Sequence, residues 1–201
     1  MITTLLLDVD GVLVSSAPGF LDALDRDYAW RDDAEAFLHE LARTPAETDT
    51  LVGEGDIGAL IDTVLPHHSK DLDTEEFLNR WLHEGIVVDQ DLVDLIGRAG
   101  FDAVHLATNQ DRRRGTYLAG LFGAQPWLTG ALMSFELGVA KPDPRFFTVG
   151  LERIGVPAAE CLFVDDRAEN VEGAAAAGVT GVVYRDRATF ETDLRALDLL
   201  P

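Results

Sequence analysis

A chain of 201 residues, 47% hydrophobic and 26% charged, has globular composition and enough length for one domain with an insertion, which argues against disorder. Its 16 basic and 36 acidic residues leave a formal net charge of -20, a field that disfavours nucleic acid and anionic membrane as partners and that an anionic substrate must overcome locally. The single cysteine, Cys161, excludes an intrachain disulfide. No stretch approaches membrane-spanning length, and the N-terminal apolar run is broken by Asp8 and Asp10 and has no basic lead, so the cytoplasm is the expected location.

In chain order, residues 2–7 form a short apolar run ending in Asp-Val-Asp-Gly, the pattern of a buried strand followed by a sharp turn. Residues 15–91 depart from it: apolar residues recur at helical spacing over 18–24, 32–41, 57–65 and 74–83. Asp73, Glu75 and Glu76 mark the start of the last of these. From residue 92 onward, short buried strands alternate with helices. Strand 103–107 leads into Thr108-Asn109, helix 113–122 follows, and a weaker strand, 131–135, precedes Glu136. Helix 144–154, strand 161–164 leading into Asp165-Asp166, an alanine-rich helix over 170–177, and strand 179–184 leading into Arg185-Asp186 complete the series. Such alternation implies an α/β fold, a Rossmann-like parallel sheet with helices on both faces. The core is assigned to residues 1–14 and 92–201, and residues 15–91 to a small all-helical cap. Ligands of such sheets sit at the carboxyl ends of the strands, where these polar residues fall.

Asp8 and Asp10 flank Val9 at the end of the first strand, and Asp165 and Asp166 end another. Taken singly, each pair also reads as a polar turn or a solvated strand end. If both strands share one sheet, four carboxylates converge, and unit charges about 4 Å apart repel by roughly 4 kcal/mol at an effective dielectric near 20. Such a cluster calls for a cation or for raised pKa values, and with oxygen ligands and no Cys or His nearby the natural cation is Mg2+. Lys141, one of two lysines in the chain, lies in Gly-Val-Ala-Lys-Pro-Asp-Pro, whose prolines stiffen the backbone after it. Its ammonium can offset charge on a carboxylate nucleophile and on a phosphate; the plain alternative is an exposed loop lysine. Thr108 and Asn109 offer a hydroxyl and an amide that can hold phosphate oxygens, or cap a helix.

Together, Leu-Asp-Val-Asp-Gly-Val, Ala-Thr-Asn, Gly-Val-Ala-Lys-Pro-Asp-Pro and Phe-Val-Asp-Asp-Arg-Ala-Glu-Asn resemble, in order and spacing, the four-motif signature of haloacid dehalogenase-like hydrolases. The similarity covers nearly the whole chain and is greatest to the phosphatase-like branch with a helical cap between the first two motifs. It implies a Mg2+-dependent hydrolase of a small phosphorylated metabolite. Asp8 would attack phosphorus to form an aspartyl-phosphate. Asp10 would protonate the leaving alkoxide and then activate water. Thr108, the backbone N–H of Asn109 and the backbone near Gly11 would hold the phosphoryl group, and Lys141 would steady it. Asp8, the carbonyl of Asp10 and Asp166 would bind the metal, with Asp165 as a further ligand or acting through water.

The resemblance also orders the alternatives. Halide departure needs no proton, and family dehalogenases generally lack the second aspartate, so Asp10 favours phosphoryl transfer over 2-haloacid dehalogenation. A phosphomutase would use the same residues. The intact set Asp8, Asp10, Lys141 and Asp166 counts against a catalytically idle binding protein. The cap is expected to close over the strand ends and select the substrate, with sugar phosphates and other small phosphomonoesters as the leading classes.

Other features read as structural. Residues 53–58 match GxGxxG, but no strand precedes them and their two acids would repel a pyrophosphate, so they serve as a flexible lead into a cap helix. His67 and His68 read as surface histidines; Arg112, Arg113 and Arg114 could attract phosphate near Asn109 or form a solvated helix start, and carry no assigned role. Trp30, Trp81 and Trp127 read as packing anchors, with Trp30 or Trp81 able to face a substrate.

Overall fold

A strand buried on both faces must be apolar throughout, because its side chains alternate between those faces. The run before Asp8 meets that condition and becomes the middle of the molecule. The computed structural model describes residues 1–200. In chain order it contains β1 (Thr4–Leu7), β2 (Val14–Ser16), α1 (Phe20–Asp27), α2 (Ala34–Arg43), α3 (Pro45–Leu51), α4 (Ile57–Val64), α5 (Thr74–Glu84), β3 (Ile86–Val88), α6 (Gln90–Ile96), β4 (Ala103–Thr108), α7 (Arg112–Phe122), β5 (Leu128–Met133), α8 (Ser134–Leu137), α9 (Pro144–Ile154), β6 (Cys161–Asp165), α10 (Ala168–Ala176), β7 (Thr180–Val183) and α11 (Arg187–Ala196).

Five strands form a parallel sheet in the order β5-β4-β1-β6-β7. Leu5 and Leu7 of β1 pack on one face with α6, α7 and α11 residues such as Leu92, Leu118 and Phe190. Leu6 packs on the other with Phe146, Phe147 and Ala174 of α9 and α10. The chain builds outward from β1 through β4 to β5, then returns to lay β6 on the opposite side of β1. That reversal of strand order is where α/β sheets bind ligands. Leu7 lies level with Leu106 and Val164, so Asp8, Thr108 and Asp165 leave three adjacent strands at the same end.

Helices α1, α2, α4 and α5 enclose a separate apolar cluster that includes Leu24, Phe37, Ile61 and Phe77. Phe37 and Phe77 meet edge to face at 5.0 Å; burying such a side chain is worth about 1.5–3 kcal/mol. Asp33, Asp56 and Asp73 cap α2, α4 and α5 through their side chains.

Several elements depart from the sequence reading. An antiparallel ribbon of β2 and β3 links the helical segment to the sheet, pairing Val14 with Val88 and Ser16 with Ile86. Each strand is three residues long, too short to carry a pattern. Helices α3, α6, α8 and α11 were not anticipated either. Helix α6 crosses the expected 91/92 boundary and puts Leu92, Val93, Leu95 and Ile96 into the core. The strand expected over 131–135 lies earlier, at β5, and Phe135 belongs to α8. His68 is not a surface residue: it is buried, its Nε2 lies 3.0 Å from Glu40 Oε2, and its ring meets Phe37. Among the described residues, no helix is long and apolar enough to cross a membrane.

Candidate active site

The turn after β1 depends on Gly11. Its φ of +76° lies in the left-handed region, which costs an L-residue with a Cβ roughly 1–2 kcal/mol. A Cβ there would also lie 2.2 Å from Asp166 Oδ2, so the bare glycine backbone forms the cradle in which the Asp166 carboxylate rests. The Asp8 N–H donates to the Val164 carbonyl at 2.9 Å, holding the first and fourth motifs together.

Strand alternation gives the two adjacent aspartates different surroundings. Asp165 is fully buried and its oxygens are occupied: Lys141 Nζ reaches Oδ2 at 2.6 Å, the Arg167 N–H reaches Oδ1 at 2.8 Å, and Asn170 Nδ2 lies 3.0 Å from both. Burial alone would raise its pKa, but Lys141 and these donors outweigh burial and hold it below the usual range. Asp166 faces outward and has no side-chain hydrogen bond or ion pair to another described residue; burial, then the charge of Asp165, raises its pKa.

Lys141 is buried between carboxylates, 2.9 Å from Asp8 Oδ1 and 2.6 Å from Asp165 Oδ2, with its ammonium 5.1 Å from the Phe163 ring centroid. It is therefore not an exposed loop lysine. Asp8 is 6% exposed. Burial pushes its pKa up to about 7; Lys141 opposes this and Asp165 adds to it. One ammonium thus serves a cluster of three carboxylates, Asp8, Asp165 and Asp166, whose oxygens lie within 4.8 Å of one another. This oxygen-only donor set, with its excess negative charge, fits a hard divalent cation. Asp8 and Asp166 have the open oxygens. Asp165, with both oxygens occupied, is suited to anchoring Lys141.

Thr108 is buried, and its hydroxyl oxygen accepts from Gln110 Nε2 at 3.1 Å. The side chain of Asn109 is turned away from this position. Its amide donates to the Lys141 carbonyl and its oxygen accepts from the Lys141 N–H, both at 2.8 Å, so it fixes the lysine loop and leaves its backbone N–H for a ligand. Asp10 is held by two residues to which no role had been given. Gln110 Nε2 donates to it at 2.6 Å, and Arg114 forms an ion pair with it. Arg114 is buried, its guanidinium 5.0 Å from the Trp81 ring centroid, so the solvated reading of the arginine run fails for this residue. Asn170, the last residue of the fourth motif, had also been given no role. Arg185, Asp186 and Glu136 do not join the cluster's set of ligands: Asp186 caps α11 and Glu136 pairs with Arg153 at 2.9 Å.

Two connected spaces lie at this end of the sheet. The smaller, about 260 Å³, is lined by Asp8, Asp10, Thr108, Lys141 and Asp166 among others. The larger, about 520 Å³, runs beneath α2, α3 and α5. Asp10, Gly11 and Asn109 line both. A depression of about 760 Å³ around Trp127 contains none of these carboxylates and lies away from the chemistry.

The model of the haloacid dehalogenase-like hydrolase family matches residues 2–178. The chain belongs to that family. Among curated relatives, the phosphoglycolate phosphatase of Rhodospirillum rubrum is 30% identical over 195 residues, covering 89% of this chain and 77% of that protein. A Mycobacterium tuberculosis phosphatase is 50% identical over 70 residues, a match to 34% of this chain and only 32% of that protein. Among solved structures, a family enzyme from Bacteroides thetaiotaomicron in complex with magnesium and inorganic phosphate superposes with a TM-score of 0.73 at 17% identity, covering 94% of this chain and 99% of that one. The L-2-haloacid dehalogenase of Xanthobacter autotrophicus gives 0.67 at 18% identity, over 100% and 85%. These two likenesses show the fold alone.

Proposed function

We propose that this hydrolase cleaves a small phosphomonoester with the help of Mg2+, through an aspartyl-phosphate on Asp8. The observation that carries the reading is the placement of Lys141 between Asp8 and Asp165 with Asp166 adjacent, which lets a carboxylate meet a phosphate inside a protein of net charge -20. The phosphatase names of the relatives support phosphate rather than halide as the group handled. The acid beside the nucleophile supports the same choice, since an alkoxide leaving group needs a proton and a halide does not. The reading takes residues 1–14 and 92–201 as the catalytic core and 15–91 as the cap.

In the first step an Asp8 oxygen attacks phosphorus in line with the ester oxygen. The P–O bond breaks and Asp10 gives its proton to the departing alkoxide. In the second, Asp10 takes a proton from water, which attacks phosphorus and frees the Asp8 carboxylate and inorganic phosphate. Lys141, the Thr108 hydroxyl and the Asn109 N–H position and neutralise the phosphoryl oxygens, which is most of what phosphoryl transfer requires. Bound by Asp8, Asp166 and the Asp10 carbonyl, Mg2+ would supply further positive charge to the phosphoryl group.

The test is release of inorganic phosphate from p-nitrophenyl phosphate and from an alkyl phosphate, with Mg2+ and with excess chelator. Turnover only with the metal is expected. Phosphate release that survives complete chelation, or no release from either ester, would defeat the proposal.

A further inference from the structure

The phosphatase reading leaves the alcohol half of the substrate unnamed, and the larger space bears on it. A ligand with its phosphoryl group between Lys141 and Thr108 has the larger cavity next to it, on the far side of Asp10. Because Asp10, Gly11 and Asn109 line both spaces, the rest of that ligand enters the cavity of about 520 Å³. That size, and a mixed lining with one continuous apolar wall, suit a small-molecule site. Leu38, Leu41, Leu51, Ile57, Trp81 and Ile86 form its apolar walls.

The lining also holds Ser15 and Ser16 of β2, both exposed, while its charged and amide groups are largely occupied. Asp111 caps α7, accepting from the N–H groups of Arg113 and Arg114 at 2.8 and 3.1 Å. The Thr50 hydroxyl donates to the Glu47 carbonyl at 2.7 Å. Gln110 donates to Asp10 and Thr108. The cation of the lining, Arg114, is paired with Asp10. The Glu47 carboxylate, half-buried at the cap side, has no side-chain partner among the described residues. Burial, then the neighbouring charge of Asp111, raises its pKa, as expected where acids outnumber cations.

The lining therefore offers Asp10, Glu47 and Asp111 against Arg114 alone. A second anionic group on the ligand would meet uncompensated negative charge. A polyhydroxylated group could reach Ser15, Ser16 and Glu47 but would leave its hydroxyls on the Leu38, Leu41, Leu51 and Ile57 side against hydrocarbon without partners. Resting on the phosphomonoesterase reading, we propose that the substrate is the phosphomonoester of an apolar alcohol bearing no second negative charge, its hydrocarbon or aromatic body against the Leu41 and Trp81 wall and a hydroxyl or N–H donated to Glu47.

The test is kcat/KM in Mg2+ for hexyl phosphate, for the same chain ending in a carboxylate, and for glucose 6-phosphate, with p-nitrophenyl phosphate as the probe of basic phosphatase activity. Hexyl phosphate is expected to exceed the other two by about tenfold or more, within the range that pocket contacts discriminate. Glu47→Lys, a change at a half-exposed position of α3, is expected to narrow the gap to the carboxylate-bearing ester by about tenfold, mainly through KM. Equal or better use of the carboxylate-bearing or sugar ester by the wild-type enzyme overturns the assignment while leaving the phosphatase reading intact. A ratio unmoved by Glu47→Lys overturns the role of Glu47. No turnover of any ester, p-nitrophenyl phosphate included, overturns the phosphatase reading and this inference with it.

Discussion

Asp8 is both the proposed nucleophile and a buried charge that destabilises the metal-free fold. Its pKa rises from 3.8 to about 7, with burial the leading cause. Between those values the native state holds a proton that the unfolded chain has released, so the Asp8 contribution to stability is intact below the lower value and is lost as pH rises through the upper one. At about 1.4 kcal/mol per pH unit the contribution is worth at most roughly 4 kcal/mol. Asp8→Asn removes that ionisation and leaves Lys141 its bond to Asp165. The variant should lose turnover entirely, yet in chelator it should have a higher thermal midpoint than wild type at about pH 7.5 and a flatter dependence of that midpoint between about pH 4 and 7. Parallel pH profiles for the two proteins would contradict this account. Gly11 makes a separate prediction at the same scale. Gly11→Ala needs a left-handed alanine, at about 1–2 kcal/mol, and puts a methyl group where the Asp166 carboxylate lies. It should weaken Mg2+ binding by about tenfold or more, a cost expected for a displaced ligand, and calorimetric titration would show it. Unchanged affinity would mean that Asp166 is not a ligand.

At the scale of elements, α5 of the helical segment, α7 and the turn after β1 meet through one guanidinium. Arg114 lies over Trp81 of α5 and pairs with Asp10, while Gln110 holds the second Asp10 oxygen. The orientation of the proposed acid-base group is thereby tied to the position of α5. Arg114→Ala should lower kcat for alkyl phosphates by about tenfold or more and much less for p-nitrophenyl phosphate, whose leaving group needs little protonation. Arg114→Lys should restore part of the loss, keeping the charge but not the planar double contact. Equal losses on both esters would reduce Arg114 to a packing residue. This contact was not legible in the sequence. Three consecutive arginines look alike there, and only the phase of α7 turns Arg114 inward while Arg113 reaches Glu75 at 2.7 Å on the exposed side. Asp165 and Asp166 pose the same difficulty on a strand: the sequence offers both to a metal, directly or through water, and only alternation shows the first against Lys141 and the second facing outward. The sheet was legible because strands buried on both faces need unbroken apolar runs, as at Leu5, Leu6 and Leu7. The β2–β3 ribbon was not, because Ser15, Ser16 and Val87 are exposed and leave no such run. The proposed nucleophile and acid were legible because their motif names the chemistry, whereas the residues orienting them are fixed only by tertiary contact.

The whole molecule sets the background against which metal binding must be measured. A net charge of -20 attracts Mg2+ weakly at many points, so stabilisation by the ion does not by itself identify the site. The pH dependence separates the two effects. Surface carboxylates are ionised well below neutrality, so diffuse attraction changes little between about pH 5 and 7.5. At the cluster, Asp8 has its pKa raised to about 7 and Asp166 has its own raised, so cation binding there must displace protons as pH falls. Below the Asp8 value, apparent affinity should fall by as much as about tenfold per pH unit. An ion present at about 100 times its dissociation constant near pH 7.5 stabilises by roughly 2.7 kcal/mol, and most of that should vanish by about pH 5. Midpoint shifts with Mg2+, measured across that interval in wild type and Asp166→Asn, check the argument. The wild-type shift should grow with pH, and the variant should retain only a small, flat response. A variant that follows the wild-type curve would place the stabilising ions on the acidic surface rather than between the first and fourth motifs.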